Sequence, residues 1–148
     1  MPKGLVIYAT RTNETQKIAQ LIAEGMRMEG CDTDLMNVSD IDKNGVSLND
    51  YEAIVLGSAT YHGEMLQSMK TFLFSAAKAN LDGKAGGAFG AFGWSGEAPG
   101  RIFDTMTHIL KMHTVQEALR LKSANLGGGI KMAQDYGRQI AKKALESS

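Results

Sequence analysis

The sequence predicts an α/β fold in three layers: a five-stranded parallel sheet of strand order 2-1-3-4-5 with helices on both faces. Two observations predict it. Apolar runs of strand length alternate with longer segments of helical period, and no linker, repeat or low-complexity tract divides the 148 residues. Strict alternation of strands and helices is typical of a parallel sheet that is covered on both sides. We therefore expect a single domain over residues 1–148.

The strands are predicted from short apolar or glycine-rich runs. Residues 4–9 and 53–58 are apolar on both faces, as in central parallel strands. A more polar strand near residues 34–38 is expected closer to an edge. Residues 86–93 form a glycine-rich strand, whose bare backbone indicates close approach by a neighbour or a ligand. A fifth strand is expected near residues 115–121.

The helices are predicted from apolar residues at three- and four-residue spacing. They are expected at residues 14–30, 69–77, 99–109 and 130–145, with Asn13 and Gln16 as a capping box before the first and Pro99 in the first turn of the third. Glycines 127–129 are expected to lead flexibly into the last helix. Some methionines occupy apolar helical positions and are expected to fill the core. They are Met26, Met69, Met106 and Met132.

Composition excludes several classes of function. The chain has 16 basic and 16 acidic residues and a formal charge of zero, so nothing in its charge favours nucleic acid or a membrane surface. Cys31 is the only cysteine, which excludes an internal disulfide and indicates a reducing compartment. The apolar start, residues 5–9, is too short for a signal peptide or a membrane span. We expect a soluble, cytoplasmic protein.

The predicted strand order also indicates where a ligand would bind. In such sheets ligands lie beyond the carboxyl ends of the strands, at the point where the strand order reverses. The loops that follow the first, third and fourth strands are therefore the candidate site.

The first loop combines hydroxyl side chains with a helix N-terminus. Free amides and the helix dipole favour an anion there, and hydroxyls donate hydrogen bonds without adding charge, so the loop predicts a phosphate site. No P-loop lysine is present, so a triphosphate with magnesium is not expected. The alternative is that Thr12 and Thr15 only cap the helix. The candidate residues are Thr10, Arg11, Thr12, Asn13, Glu14 and Thr15.

This loop resembles the phosphate loop of flavodoxins, Thr-x-Thr-Gly-Asn-Thr, with two departures. Asn13 stands in the place of the glycine, and asparagine is the best substitute for glycine at a left-handed backbone position. Glu14 stands in the place of the asparagine and brings a negative charge towards the phosphate. It must either turn to solvent or weaken binding, and Arg11 could offset it. The resemblance implies a flavodoxin-like fold with FMN as cofactor.

The second loop follows the third strand. In flavodoxins this loop carries a side chain that stacks on the flavin and a peptide, often at a glycine, that turns its carbonyl towards the reduced ring. Counting from Gly57 puts Tyr61 at the stacking position, whereas matching an aromatic-Gly-acid triplet puts His62 there with Gly63 as the turning residue. We favour His62 and Gly63 and keep Tyr61 as a wall residue; Ala59 and Thr60 complete the loop.

The third loop is the most specific. Its sequence Gly-Trp-Ser-Gly-Glu-Ala is similar to a stretch in the flavodoxin-like domain of flavodiiron proteins and to tryptophan-bearing loops of short-chain flavodoxins. The resemblance implies that backbone amides bind the pyrimidine end of the flavin and that Trp94 covers the outer face of the ring. The alternative is a tryptophan that only packs. The candidate residues are Phe92, Gly93, Trp94, Gly96 and Glu97.

The resemblance implies a flavodoxin: an FMN-binding, low-potential one-electron carrier, monomeric, with reductases and electron acceptors as redox partner proteins and with no metal, nucleic acid or membrane partner. It implies no substrate turnover. The alternative is an FMN-dependent NAD(P)H:quinone or acceptor oxidoreductase. A receiver domain is discounted because Thr10 and Thr60 stand where it needs acidic residues. Because Glu64 and Glu97 face possible cations in Arg11, Arg101 and His62, we expect a less extreme low potential than in an acidic relative.

Overall fold

A computed structural model describes residues 2–9, 13–41, 43–61, 64–91, 96–122 and 127–147, with Tyr61 and Ser147 described by their backbones alone. The main sheet contains β1 (Lys3–Ala9), β2 (Asp32–Asn37), β3 (Ala53–Ser58), β6 (Ala85–Ala91), β7 (His113–Thr114) and β8 (Leu119–Leu121). A separate hairpin pairs β4 (Thr60–Tyr61) with β5 (Glu64–Met65). The helices are α1 (Asn13–Met28), α2 (Gln67–Ala76), α3 (Glu97–His108) and α4 (Gly129–Ser147). Short 3-10 turns cover Val38–Asp40 and Leu48–Asp50.

The sheet has the predicted parallel order. Strands run β2-β1-β3-β6, and both β7 and β8 pair with β6 on its outer side. The order 2-1-3-4-5 is therefore confirmed, with the fifth position shared by two short strands. The more polar β2 lies at the opposite edge, as its composition indicates.

The prediction of one continuous fifth strand at residues 115–121 is wrong. Gly86 pairs with Thr114 and Phe89 with Leu119, so two residues of β6 lie opposite four residues of the edge strand. The ladder is interrupted there, and the hydroxyl of Tyr136 on α4 takes its place. It accepts from the Ala88 N–H at 3.0 Å, and its oxygen lies 3.0 Å from the Ala88 carbonyl and 2.7 Å from the Glu117 carbonyl.

Each face of the sheet carries two helices. One core cluster joins the sheet to α1 and α4, and the other joins it to α2 and α3. Helices α1 and α4 touch backbone to backbone at two glycines. A Cβ at Gly25 would overlap the Gln134 carbonyl, and a Cβ at Gly137 would overlap the Ile22 carbonyl. The close approach predicted for the glycine-rich strand is confirmed too: a Cβ at Gly90 would overlap the Ser58 carbonyl.

Two details of the helices differ from expectation. Asn13 already lies within α1 and is not a cap outside it. Met26, Met69 and Met106 are fully buried as predicted, but Met132 is 47% exposed. The core stripe of α4 runs through Ala133, Tyr136 and Ile140, so Met132 lies one position off it.

Candidate functional site at the carboxyl ends of the strands

Three central strands end at one edge of the sheet. Ala9 at the end of β1 pairs with Ser58 at the end of β3, and Gly57 pairs with Phe89 two residues before the end of β6. The Ala59 N–H also donates to the Ala9 carbonyl at 3.3 Å. The loops after β1, β3 and β6 therefore start side by side, at the edge where the strand order predicts a ligand.

Part of the predicted site lies outside the described residues. This applies to Thr10, Arg11, Thr12, His62, Gly63, Phe92, Gly93 and Trp94. The choice between Tyr61 and His62 as the stacking side chain stays a prediction. The structure describes Asn13, Glu14, Thr15, Ala59, Thr60, Gly96 and Glu97, and these mark the ends of all three loops.

The first turn of α1 fits an anion. Thr15 is fully buried, and its Oγ1 has no hydrogen-bond partner among the residues that the structure describes. A buried hydroxyl without a partner costs about 1–3 kcal/mol, so such groups call for an explanation. An acceptor from a ligand would satisfy it, and the helix dipole favours a negative one at this end of α1. Asn13 beside it is exposed, and Glu14 is half-buried.

The second loop is tied to the third through Thr60. The Thr60 Oγ1 accepts from the Ala98 N–H at 3.1 Å, so a hydroxyl from one loop caps helix α3, which begins at the end of the other. Gly96 at the N-cap position has no side chain for this task. The Ser58 hydroxyl holds the second loop itself: it donates to the Ala59 carbonyl at 2.9 Å and accepts from the Leu66 N–H at 3.0 Å.

The acidic residue of the second loop faces cations, as predicted for one of them. Glu64 lies 3.6 Å from Arg101 of α3 and 3.6 Å from Lys70 of α2. The Arg101 contact was expected from the sequence, whereas Lys70 was missed because it approaches from another helix. These exposed pairs contribute little to stability, but they reduce the negative charge beside the site.

The third loop is held at its far end by an arginine that sequence reasoning missed. The Nε of Arg120 in β8 donates to the Gly96 carbonyl at 2.9 Å. The sequence carried a signal for this arginine, because Arg120 stands between two leucines and such alternation places it on the opposite side of the strand from them. In the structure Leu119 and Leu121 are buried and Arg120 is exposed. Glu97, in the first turn of α3, is exposed.

The described residues show neither a metal cluster nor a membrane-spanning helix. No three His, Cys, Asp or Glu side chains come together in a group that could hold a metal ion, within the residues that the structure describes. In the same part of the chain, no helix combines the length and the apolar character needed to cross a membrane.

The strand order and a loop site with an anion-ready helix N-terminus define a cofactor-binding protein of the doubly wound α/β class. A family model described as a flavodoxin domain matches residues 5–133. The chain belongs to the flavodoxin family, and FMN is the cofactor of that family. The buried Thr15 hydroxyl at the start of α1 fits the phosphate of this cofactor.

The chain is similar both to whole flavodoxins and to part of longer flavoproteins. A flavodoxin structure from the domain Archaea is 30% identical, with a TM-score of 0.87 over 97% of this chain and 99% of that one. The flavodiiron protein of Giardia intestinalis is 26% identical, with a TM-score of 0.89 over 98% of this chain and 36% of that one. A type A flavoprotein of Rhodobacter capsulatus is 28% identical over 144 residues, 93% of this chain. The chain spans 32% of that relative's length.

Proposed function

We propose that this chain binds FMN non-covalently through its three loops and carries single electrons at low potential between redox partner proteins. The observation that carries the proposal is the buried Thr15 hydroxyl at the N-terminus of α1, which finds no hydrogen-bond partner within the described part of the chain. FMN, when bound, takes up and releases electrons one at a time, and the protein supplies binding, orientation and electrostatics.

Each loop has a stated part in the proposal. The first turn of α1 holds the phosphate through Thr15 and the amides of the helix N-terminus. The second loop places Tyr61 or His62 against the ring and Gly63 where a peptide can turn. The third loop, from Phe92 to Glu97, encloses the other face and the pyrimidine end. The hydrogen bond from the Ala98 N–H to Thr60 fixes the position of the second loop relative to the end of the third.

The proposed phosphate contact predicts a ligand-specific loss in Thr15→Val. This variant keeps the shape of the side chain and removes the hydroxyl. We expect FMN to bind about 10- to 100-fold more weakly, because a hydrogen bond to a charged group is worth about 1.5–3 kcal/mol. Binding of riboflavin, which lacks the phosphate, should be unchanged. Quenching of flavin fluorescence on titration into flavin-free protein measures both dissociation constants.

Two controls sharpen this test. Thr105→Val changes the same residue type in α3, where the hydroxyl bonds the Arg101 carbonyl of its own helix at 3.0 Å. It should leave both dissociation constants unchanged. The stability of flavin-free Thr15→Val should equal or exceed that of the unmodified protein, because the change removes a buried group without a partner. Equal losses for FMN and riboflavin would argue against a phosphate at Thr15.

The carrier role is tested separately from binding. With FMN bound and NADPH added under argon, a carrier stays oxidised until a partner reductase is supplied. Rapid bleaching of the flavin absorption without a partner would instead favour the oxidoreductase alternative.

If His62 lies against the ring, its titration near neutral pH should make the low-potential couple depend on pH. Because Glu64 contacts Arg101 and Lys70, we expect that couple to be less negative than in an acidic relative.

A further inference from the structure

The contact between Arg120 and the third loop joins the sheet edge to the proposed flavin site. Arg120 is the middle residue of β8, which pairs with the last residues of β6, Phe89 to Ala91. Its Nε donates to the Gly96 carbonyl at 2.9 Å. Gly96 is the residue that precedes α3, at the end of the loop that follows β6. Arg120 therefore links the strand next to β6 with the far end of that loop.

The guanidinium of Arg120 lies close to the backbone of α3 at a glycine. A Cβ built at Gly100 would stand 2.6 Å from the Arg120 Nη2, so a side chain at position 100 would force the guanidinium to move. Gly100 is in the first turn of α3, which begins at Glu97. The absence of a side chain at this position leaves room for the guanidinium beside the first turn of α3.

The charge of Arg120 stands at the end of α3 that least favours a cation. The helix N-terminus carries a partial positive charge, so anions are stabilised there and cations are not. Helix α3 itself carries Glu97 in its first turn and Arg101, which lies 3.6 Å from Glu64. A second positive charge beside a helix N-terminus raises the local potential, and that favours any negative charge that develops at the adjoining loop.

We propose that Arg120 is a positioning residue that holds the Gly96 peptide in place and, through its charge, favours binding of reduced FMN over oxidised FMN. The inference rests on the proposed FMN site. Reduction adds negative charge to the ring, which the third loop is proposed to enclose. A nearby cation therefore stabilises the reduced form more than the oxidised form. The ratio of the two affinities determines how far the midpoint potential of bound FMN shifts from that of free FMN.

The test is the ratio of dissociation constants for oxidised FMN and for dithionite-reduced FMN under argon. Arg120→Gln keeps a polar side chain and removes the charge. We expect it to weaken binding of reduced FMN about three- to tenfold more than binding of oxidised FMN. Dithionite reduces each FMN by two electrons, so a tenfold change in this ratio corresponds to a shift of about 30 mV in the two-electron midpoint potential. Measuring that potential directly is therefore an independent test. Arg120→Lys retains the charge and should stay within about twofold of the unmodified ratio.

Three comparisons keep the result interpretable. Arg138→Gln removes the same charge from α4, where Arg138 pairs with Glu29 at 2.8 Å, and should leave the ratio unchanged. Gly100→Ala keeps Arg120 but displaces its guanidinium, and should move the ratio in the same direction as Arg120→Gln. High salt should shrink the effect of Arg120→Gln, because it screens exposed charges.

The outcomes separate this inference from the proposed function. If the unmodified protein fails to bind FMN, the proposed function fails and the inference with it. If it binds FMN and Arg120→Gln weakens both forms equally, or neither, Arg120 is only a structural support and the inference is overturned. Circular dichroism of each variant checks that the fold is retained.

Discussion

At the scale of single residues, the hydroxyls of Thr15 and Tyr136 differ in their hydrogen bonding. Thr15 is buried and has no partner among the described residues, whereas the Tyr136 oxygen contacts the Ala88 N–H and two carbonyls. A protein keeps a buried polar group when the fold or a ligand satisfies it. Tyr136 is satisfied by the fold, at the place where the edge strand is interrupted. For Thr15, the proposed partner is the phosphate of FMN.

Removing the Tyr136 hydroxyl should therefore destabilise the chain. In Tyr136→Phe the buried N–H and carbonyl of Ala88 and the partly buried Glu117 carbonyl lose a partner. We expect the free energy of unfolding to fall by about 2–3 kcal/mol, measured by urea denaturation. Tyr51→Phe is the comparison, because the Tyr51 hydroxyl makes one partly buried bond, to Asp34 at 2.7 Å. A loss for Tyr136→Phe no larger than for Tyr51→Phe would contradict this account.

At the scale of elements, the contact of α1 with α4 depends on two glycines. Gly25 and Gly137 each lie against a carbonyl of the other helix, so the two backbones meet with no side chain between them. Glycine is otherwise a poor helix former and costs up to about 1 kcal/mol relative to alanine. Here the approach of the helices offsets that cost, because it lets α1 and α4 cover the same face of the sheet.

The close contact reverses the usual effect of a glycine-to-alanine change. By helix propensity alone, Gly25→Ala and Gly137→Ala should stabilise the chain. We expect both to lower the free energy of unfolding instead, by about 1–3 kcal/mol, because the new methyl overlaps backbone that cannot move aside. Lys17→Ala at an exposed position of α1 is the control and should stay within about 0.5 kcal/mol. Thermal and urea unfolding measure these free energies. An increase in either glycine variant would show that the helices can accommodate a methyl group at that position.

At the scale of the whole molecule, buried phenols and a buried thiol share one direction of pKa shift. Burial raises the pKa of Tyr8, Cys31 and Tyr136, and burial together with the hydrogen bond to Asp34 raises the pKa of Tyr51 from 10.0 to about 12. The folded chain therefore holds these protons to higher pH than the unfolded chain does.

Stability should consequently fall at alkaline pH. Between about pH 10 and pH 12 the unfolded chain has lost the Tyr51 proton while the folded chain retains it, so unfolding releases a proton and the free energy of unfolding decreases as pH rises. Below pH 10 both states keep the proton, and this contribution is fully present. Tyr51→Phe should flatten the decline, measured as urea midpoints from pH 8 to pH 11.5. Parallel curves for the two proteins would refute the role of Tyr51.

The sequence alone predicted the fold class and a strand order that the structure confirms, and with them the edge of the sheet where the proposed site lies. Periodicity and alternation are local properties of the chain, and they fix which segments are strands, which are helices and which faces are apolar. The same sequence reasoning predicted the pairing of Glu64 with Arg101 and, through the family resemblance, FMN as the cofactor. The phosphate loop at residues 10–15 stays a prediction.

Only the tertiary structure decided the contacts between elements distant in sequence. The split fifth strand, the Thr60 cap on α3, the bond from Arg120 to Gly96 and the glycine contact of α1 with α4 all join residues far apart along the chain. Their geometry follows from how helices and strands pack in three dimensions. A local pattern determines each element and its apolar face, but not which atoms of another element it will touch.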